Sequence, residues 1–407
     1  MKLLWLYLLA FLVLPIIGEV SLYITGMSIT AGIVDLNLII ANIIFVFTVI
    51  IVTWLISNIG LKISRQVGYY DYQYTNFIFK KIIILLLFIA IFIFTISGYS
   101  ILFGGAERGD IRVSLGFLGP FYTVFLNFIP VLLVVYASML YAYSNYRYKL
   151  KKKIIFIFIL LISIGIFSGY KAVALSLMIP GFVMLYFYNF KIKHFFIFIF
   201  FAFSILTVFT ALVRDIPLEM AFPFLVYRMT TMTAYGTIGV WNEFNNIISF
   251  NDFLINLVSI FGNKLSSFIL GISQHDVIFL KTSLSRLITY LVYPNTEGAL
   301  SGTVNVTVTN FGHAIYLLGK SLYVYYALFM GVIIGFTIRY MKIYMGKKLP
   351  LKLSIVSVFF FSAIIPSVNS GGIFTLFSLP ILVNLIITYF IGRYLIQGRK
   401  VKYAILK

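Results

Sequence analysis

The sequence predicts an all-α, polytopic membrane bundle of about ten transmembrane helices, with one large external loop that holds surface or re-entrant helices. Three observations carry that prediction. Of the 407 residues, 62% are hydrophobic and 10% charged, against roughly 45–50% and about 25% in a soluble domain. Apolar stretches close to the ~20 residues needed to cross hydrocarbon recur along the chain. The charges between those stretches fall into two unequal sets. Lipid offers no partner for a backbone N–H or C=O, so the spans are helices.

The stretches are 3–18, 33–57, 82–102, 117–143, 154–170, 172–190, 195–213, 319–338, 353–369 and 373–392. The first is long for a signal sequence and has no small-residue cleavage site, so it reads as a retained span. The fifth and sixth make a hairpin with almost no turn. With the N-terminus in the cytoplasm, 22 of the 31 basic residues fall inside and nine outside, whereas only Asp71 among the 11 acids falls inside. That is the positive-inside asymmetry. The net charge of +20 is therefore a topology signal, and its short basic runs between spans do not suit nucleic acid. The absence of cysteine excludes thiol catalysis, thiolate metal sites and a disulfide scaffold.

The organisation is then a seven-span bundle over 1–213, an external loop over 214–318 and a three-span bundle over 319–407 with a basic cytoplasmic tail. A loop of that length is uncommon and usually functional. Within it, Leu254, Leu257, Val258, Phe261, Leu265, Phe268 and Ile269 recur at helical spacing opposite Asn256, Asn263, Lys264 and Ser266. That pattern suits a helix lying on the membrane surface. Residues 220–240 carry Arg228 and several threonines and predict a re-entrant or surface helix. The cytoplasmic loops are short and contain no phosphate-cradling glycine loop, so chemistry belongs to the outer face.

Candidate residues on that face are few. Lys171, in Ser168-Gly169-Tyr170-Lys171-Ala172, opens a helix at the hairpin tip. There an ammonium and a helix N-terminus can hold an anion, or the lysine snorkels to the headgroups. Arg214 follows the seventh stretch beside Asp215; it forms a surface ion pair or grips a diphosphate bidentately. Arg228 and Arg286 each interrupt an apolar run, where a guanidinium needs a partner, although loop exposure also explains them. Thr303, Asn305, Thr307 and Thr309 alternate with valines and lead to Gly312-His313. An imidazole there is a base for a hydroxyl proton, or a plain polar residue. The three histidines are dispersed and the external carboxylates pick out no pair, so no metal is expected.

Two of these segments, with the layout, carry a likeness. The chain resembles the Wzy-type polymerases of bacterial O-antigen and capsule repeat units. The large external loop before the last three spans is similar to theirs. Ser168-Gly169-Tyr170-Lys171-Ala172 looks like their small-Gly-x-Arg/Lys-small motif, with lysine where arginine is more usual. Thr307-Val308-Thr309-Asn310-Phe311-Gly312-His313-Ala314-Ile315-Tyr316-Leu317-Leu318-Gly319 resembles their threonine, glycine and tyrosine pattern before a span containing Gly331 and Gly335. The resemblance implies a glycosyltransferase of the bacterial cytoplasmic membrane that uses neither metal, nucleotide nor other cofactor. It joins polyprenyl-diphosphate-linked oligosaccharides, with His313 as base and Lys171, Arg214, Arg228 and Arg286 facing the diphosphate. Partners are then the lipid-linked donor and acceptor and membrane lipid, with a chain-length regulator and a flippase as candidates. The alternatives are an O-antigen ligase, although His313-Ala314 stands where ligases usually have His-Asn, and a flippase or other transporter.

Overall fold

The computed structural model describes residues 2–26, 30–60, 70–103, 115, 118–169, 171–187, 196, 200, 203–204, 206–208, 210–211, 216–293, 296–302 and 305–396. The expected span 195–213 and the basic tail lie mostly outside these residues. Among them there is no strand, and seven helices are long and apolar enough to cross a membrane. The protein is thus a multi-pass, all-α membrane protein.

Those seven are α1 (Lys2–Thr25), α2 (Leu36–Asn58), α3 (Tyr72–Ile101), α4 (Gly119–Ala142), α13 (Asn310–Gly346), α14 (Pro350–Ser370) and α15 (Ile373–Leu395). The expected hairpin is present as α5 (Arg147–Phe167) and α6 (Lys171–Leu185). Five of the first seven residues of α5 are basic, and its apolar part follows them. Gly165 lets the pair close, since a Cβ there would lie 2.4 Å from the Ala174 Cα. Residues 216–302 hold α7 (Leu218–Met229), α8 (Thr231–Glu243), α9 (Phe250–Val258), α10 (Asn263–Leu270), α11 (Leu284–Val292) and α12 (Thr296–Ser301).

Two helix groups make the bundle. In the first, α4 is central and α3, α5, α6 and α14 pack around it. Its residues Ile129–Leu140 are all buried, as befits a helix apolar on every side. Pro130 and Pro366 each sit two residues beyond a π-helical turn, Val124–Phe128 and Phe360–Ile364. The wider turn relieves the clash a proline ring makes with the carbonyl four residues back.

In the second group α2 and α13 run side by side, and α1 and α8 pack against them. A Cβ at Gly331 would lie 2.7 Å from Val52 Cβ, and one at Gly335 2.7 Å from Ile56 Cβ. Small residues four apart thus bring the two backbones together, as in membrane helix pairs generally. Thr53 uses that closeness to donate its hydroxyl to the Gly331 carbonyl at 3.2 Å. At the far end of the pair, Lys342 donates to the Ser57 carbonyl (3.0 Å) and Asn58 Oδ1 (2.8 Å), placing a cation where helix carbonyls lack partners.

The structure corrects one boundary. Glu19 counts as external by hydropathy, but α1 continues through it to Thr25 and the carboxylate is fully buried. Asn42 of α2 donates to both of its oxygens, at 2.8 and 3.0 Å. Residues 220–240 are also resolved into two helices broken at Thr230, and the second of them, α8, is mostly buried along α1. Replacing Gly335 by valine should force α2 and α13 apart and cost about 1–3 kcal/mol; a thermal melt of the detergent-purified variant should shift down.

Candidate functional site

The described part of the polar ribbon before α13, residues 305–309, has no regular structure and is clamped from two sides. A Cβ on Gly236 would stand 2.3 Å from the Thr307 carbonyl oxygen, so α8 meets the ribbon through a glycine. Beside it the Thr237 and Thr309 hydroxyls share a 2.7 Å hydrogen bond, and the Thr309 N–H donates to Thr237 Oγ1 at 3.2 Å. On the other side the Val306 N–H donates to the Thr289 hydroxyl of α11 at 2.8 Å. Val306 and Val308 are buried, whereas Asn305 is exposed and Thr307 half-buried; the alternation stops at Thr309, which is buried. Thr303 lies outside the described residues.

Thr309 then caps α13, accepting the Gly312 N–H, as threonine does at helix N-termini. The helix runs one stretch to Leu318 and breaks at Gly319, whose φ of 68° and ψ of 178° are not helical. A side chain there would also strike the Asn246 backbone at 2.8 Å. The freed Lys320 N–H donates instead to the Asn245 carbonyl at 3.2 Å. Lys320 Nζ lies 4.3 Å above the Trp241 ring, and Trp241 in turn donates to Asp35, the cap of α2.

His313 sits in the short first limb of α13, 9% exposed. No hydrogen bond reaches its ring among the described residues. Its Nδ1 edge faces Gly372, where a Cβ would lie 2.5 Å from Nδ1, leaving Nε2 on the opposite edge. Gly372 has an extended backbone (φ −97°, ψ −179°) that any residue adopts; what excludes a side chain is the imidazole.

A hydrogen-bonded brace holds that turn in place. Ser367 donates its hydroxyl to the Gly372 carbonyl at 3.0 Å, and the Ile373 N–H donates to the Tyr326 hydroxyl at 2.8 Å. Asn310, one turn before His313, donates to the Ser367 carbonyl at 3.2 Å. Phe311 fills the space behind, against Phe45, Trp241 and Tyr323. The Gly371–Gly372 turn and the histidine are thus tied to one helix start. Sequence reasoning singled out His313 and the segment leading to it, Asn310 included, but not its neighbours Gly372, Tyr326, Thr237 and Thr289. Only the glycine pair at 371–372, just before an apolar span, carried a signal.

Of the four expected cations, two can be placed. The Lys171 side chain and Arg214 lie outside the described residues. Arg228 is exposed on α7, 5.9 Å from the Phe224 ring centroid. Arg286 is buried, and its guanidinium donates to the Ala299 carbonyl (3.1 Å), the Gln274 carbonyl (2.9 Å) and the Leu300 carbonyl. Burial pushes that guanidinium below its ordinary range. It laces α11 to the segments at 274 and 299–300. Among the described residues no three His, Asp or Glu come together as metal ligands.

Comparison with known proteins adds no family: no family model, curated protein or solved structure matches the chain.

Two substitutions test this geometry. Gly372→Ala should perturb the fluorine or nitrogen NMR signature of a labelled His313 environment and lower the melting temperature, while Gly371→Ala, whose Cβ would meet nothing closer than 3.3 Å, should do neither. Arg286→Ala should cost at least about 2 kcal/mol, because hydrogen bonds from a charged donor are worth roughly 1.5–3 kcal/mol each; a melting temperature equal to that of the parent would contradict its bracing role.

Proposed function

We propose that this protein is a glycosyltransferase that polymerises polyprenyl-diphosphate-linked oligosaccharide repeat units into O-antigen or capsular polysaccharide, at the outer face of the bacterial cytoplasmic membrane. Both termini are then cytoplasmic and residues 214–318 external, in keeping with the charge asymmetry. The observation that carries the reading is the imidazole of His313: enclosed, unengaged by any hydrogen bond among the described residues, and held at the end of the bundle that bears the large loop.

In this reaction an acceptor hydroxyl oxygen attacks the anomeric carbon of the donor sugar. The new C–O bond forms as the bond to the diphosphate oxygen breaks, and that oxygen keeps the electron pair. The hydroxyl proton passes to His313 Nε2, the edge turned away from Gly372. The donor bond is already activated, so the chemistry calls for no nucleotide. Cations beside the departing diphosphate stabilise its developing charge, a role we assign to Lys171 and Arg214, with Arg228 as an exposed helper. The buried carbonyl contacts of Arg286 fit it for bracing the loop instead.

A second reading, a lipid-linked oligosaccharide transporter, draws on the buried Glu19 and Lys342, since ionisable groups inside a bundle mark transport paths. The two readings part cleanly. Deleting the gene should leave single repeat units on the cell surface if the protein polymerises, and no displayed units if it transports. Purified protein given lipid-linked repeats should build a ladder of products. His313→Ala should slow that ladder by about 10²–10⁴-fold, the usual contribution of a general base, with the variant still folded; an undiminished rate would remove His313 from the mechanism.

A further inference from the structure

Between α8 and α11 the chain forms a helical hairpin whose exposed edge is apolar. Phe250 and Leu254 of α9, Phe261 in the turn after it, and Leu265, Phe268 and Ile269 of α10 all face outward, with Phe268 84% and Phe250 74% exposed. Their spacing of three and four residues puts each set on one side of its helix. Three polar side chains turn the other way, whereas Asn251, Asn263 and Lys264 are exposed. Asn256 donates to the Lys281 carbonyl at 2.9 Å, Ser266 donates to the Val258 carbonyl at 2.7 Å, and Asp252 pairs with Lys281 at 2.6 Å. A water-facing hairpin has the opposite arrangement.

The hairpin is seated on the last span. Phe253 meets the Phe374 ring at 5.7 Å, and a Cβ on Gly262 would lie 3.3 Å from Pro380 Cγ. From that point α15 continues with Leu382, Val383 and Ile386 exposed, a belt that faces lipid in a membrane-spanning helix. The exposed apolar edge therefore abuts the exposed apolar face of α15. Lys264, exposed among these residues, has a stem long enough to carry its charge to the headgroups.

We propose that residues 250–270 insert this edge into the membrane leaflet at the loop end of the bundle, with phospholipid as the occupant. Phe253 shares its helix with the inserted Phe250 and Leu254 and packs on the residue two beyond Gly372. Hairpin and imidazole are accordingly linked through one short turn. The insertion does not depend on the glycosyl-transfer reading.

The chain has no cysteine, so a single one can be placed and labelled without changing the background. Phe268→Cys and Leu265→Cys, each carrying the fluorophore NBD, would be reconstituted in vesicles of phosphatidylethanolamine and phosphatidylglycerol, with Asn305→Cys as the exposed comparison. Blue-shifted emission at 265 and 268, quenched at least twofold more by doxyl lipids than at 305 and shielded from aqueous iodide, is the expected result. Emission like that of the 305 label, quenched by iodide, would overturn the proposal. So would a blue shift that doxyl lipid leaves untouched, because a second protein copy would then cover the edge. Each outcome is read without any glycan substrate.

Discussion

A helix that crosses the membrane and a helix that builds a buried site at its surface want different directions, and Gly319 lets one segment be both. Its positive φ turns the chain between the limb carrying His313 and the limb packed on α2. A side chain at that position would be strained in conformation and would collide with the 245–247 backbone. Without the break, the first limb would continue along the axis fixed by Gly331 and Gly335, away from Thr237, Gly372 and the ribbon. The contacts around the imidazole all descend from that turn.

Close backbone approaches organise the rest. Gly18 against Thr230, Gly236 against Thr307 and Gly165 against Ala174 are each too tight for a methyl group. Within lipid there is no hydrophobic force to press helices together, so small surfaces and dispersion contacts do the work. Two buried ionisable groups of the bundle helices have polar partners on a neighbouring helix: Glu19 meets Asn42, and Lys342 meets the end of α2.

The bundle was legible because hydropathy depends on runs of residues, and runs survive whatever their neighbours are. Seven of the expected stretches correspond to long apolar helices, and the hairpin at 171 has the near-absent turn its sequence announces. Partners were not legible. Arg286 interrupts an apolar run, which signals burial, but its acceptors are three backbone carbonyls, which carry no residue signature. Glu19 lies just past an apolar stretch and looked solvated; only Asn42, on another helix, explains why α1 runs through it. Gly372 is ordinary in its own backbone, and its need to be glycine comes from a histidine 59 positions earlier.

The shared hydrogen bond of Thr237 and Thr309 also imposes an order on biogenesis. Helix 231–243 leaves the ribosome some 70 residues before the segment that satisfies its inward hydroxyl and covers Gly236. Until that segment arrives the helix has a polar seam with no mate, so it cannot settle against α1 as a finished unit. The seam of helix 231–243 is therefore completed by the arrival of the chain that immediately precedes the next crossing, and the turn at Gly372 that packs on His313 follows later still.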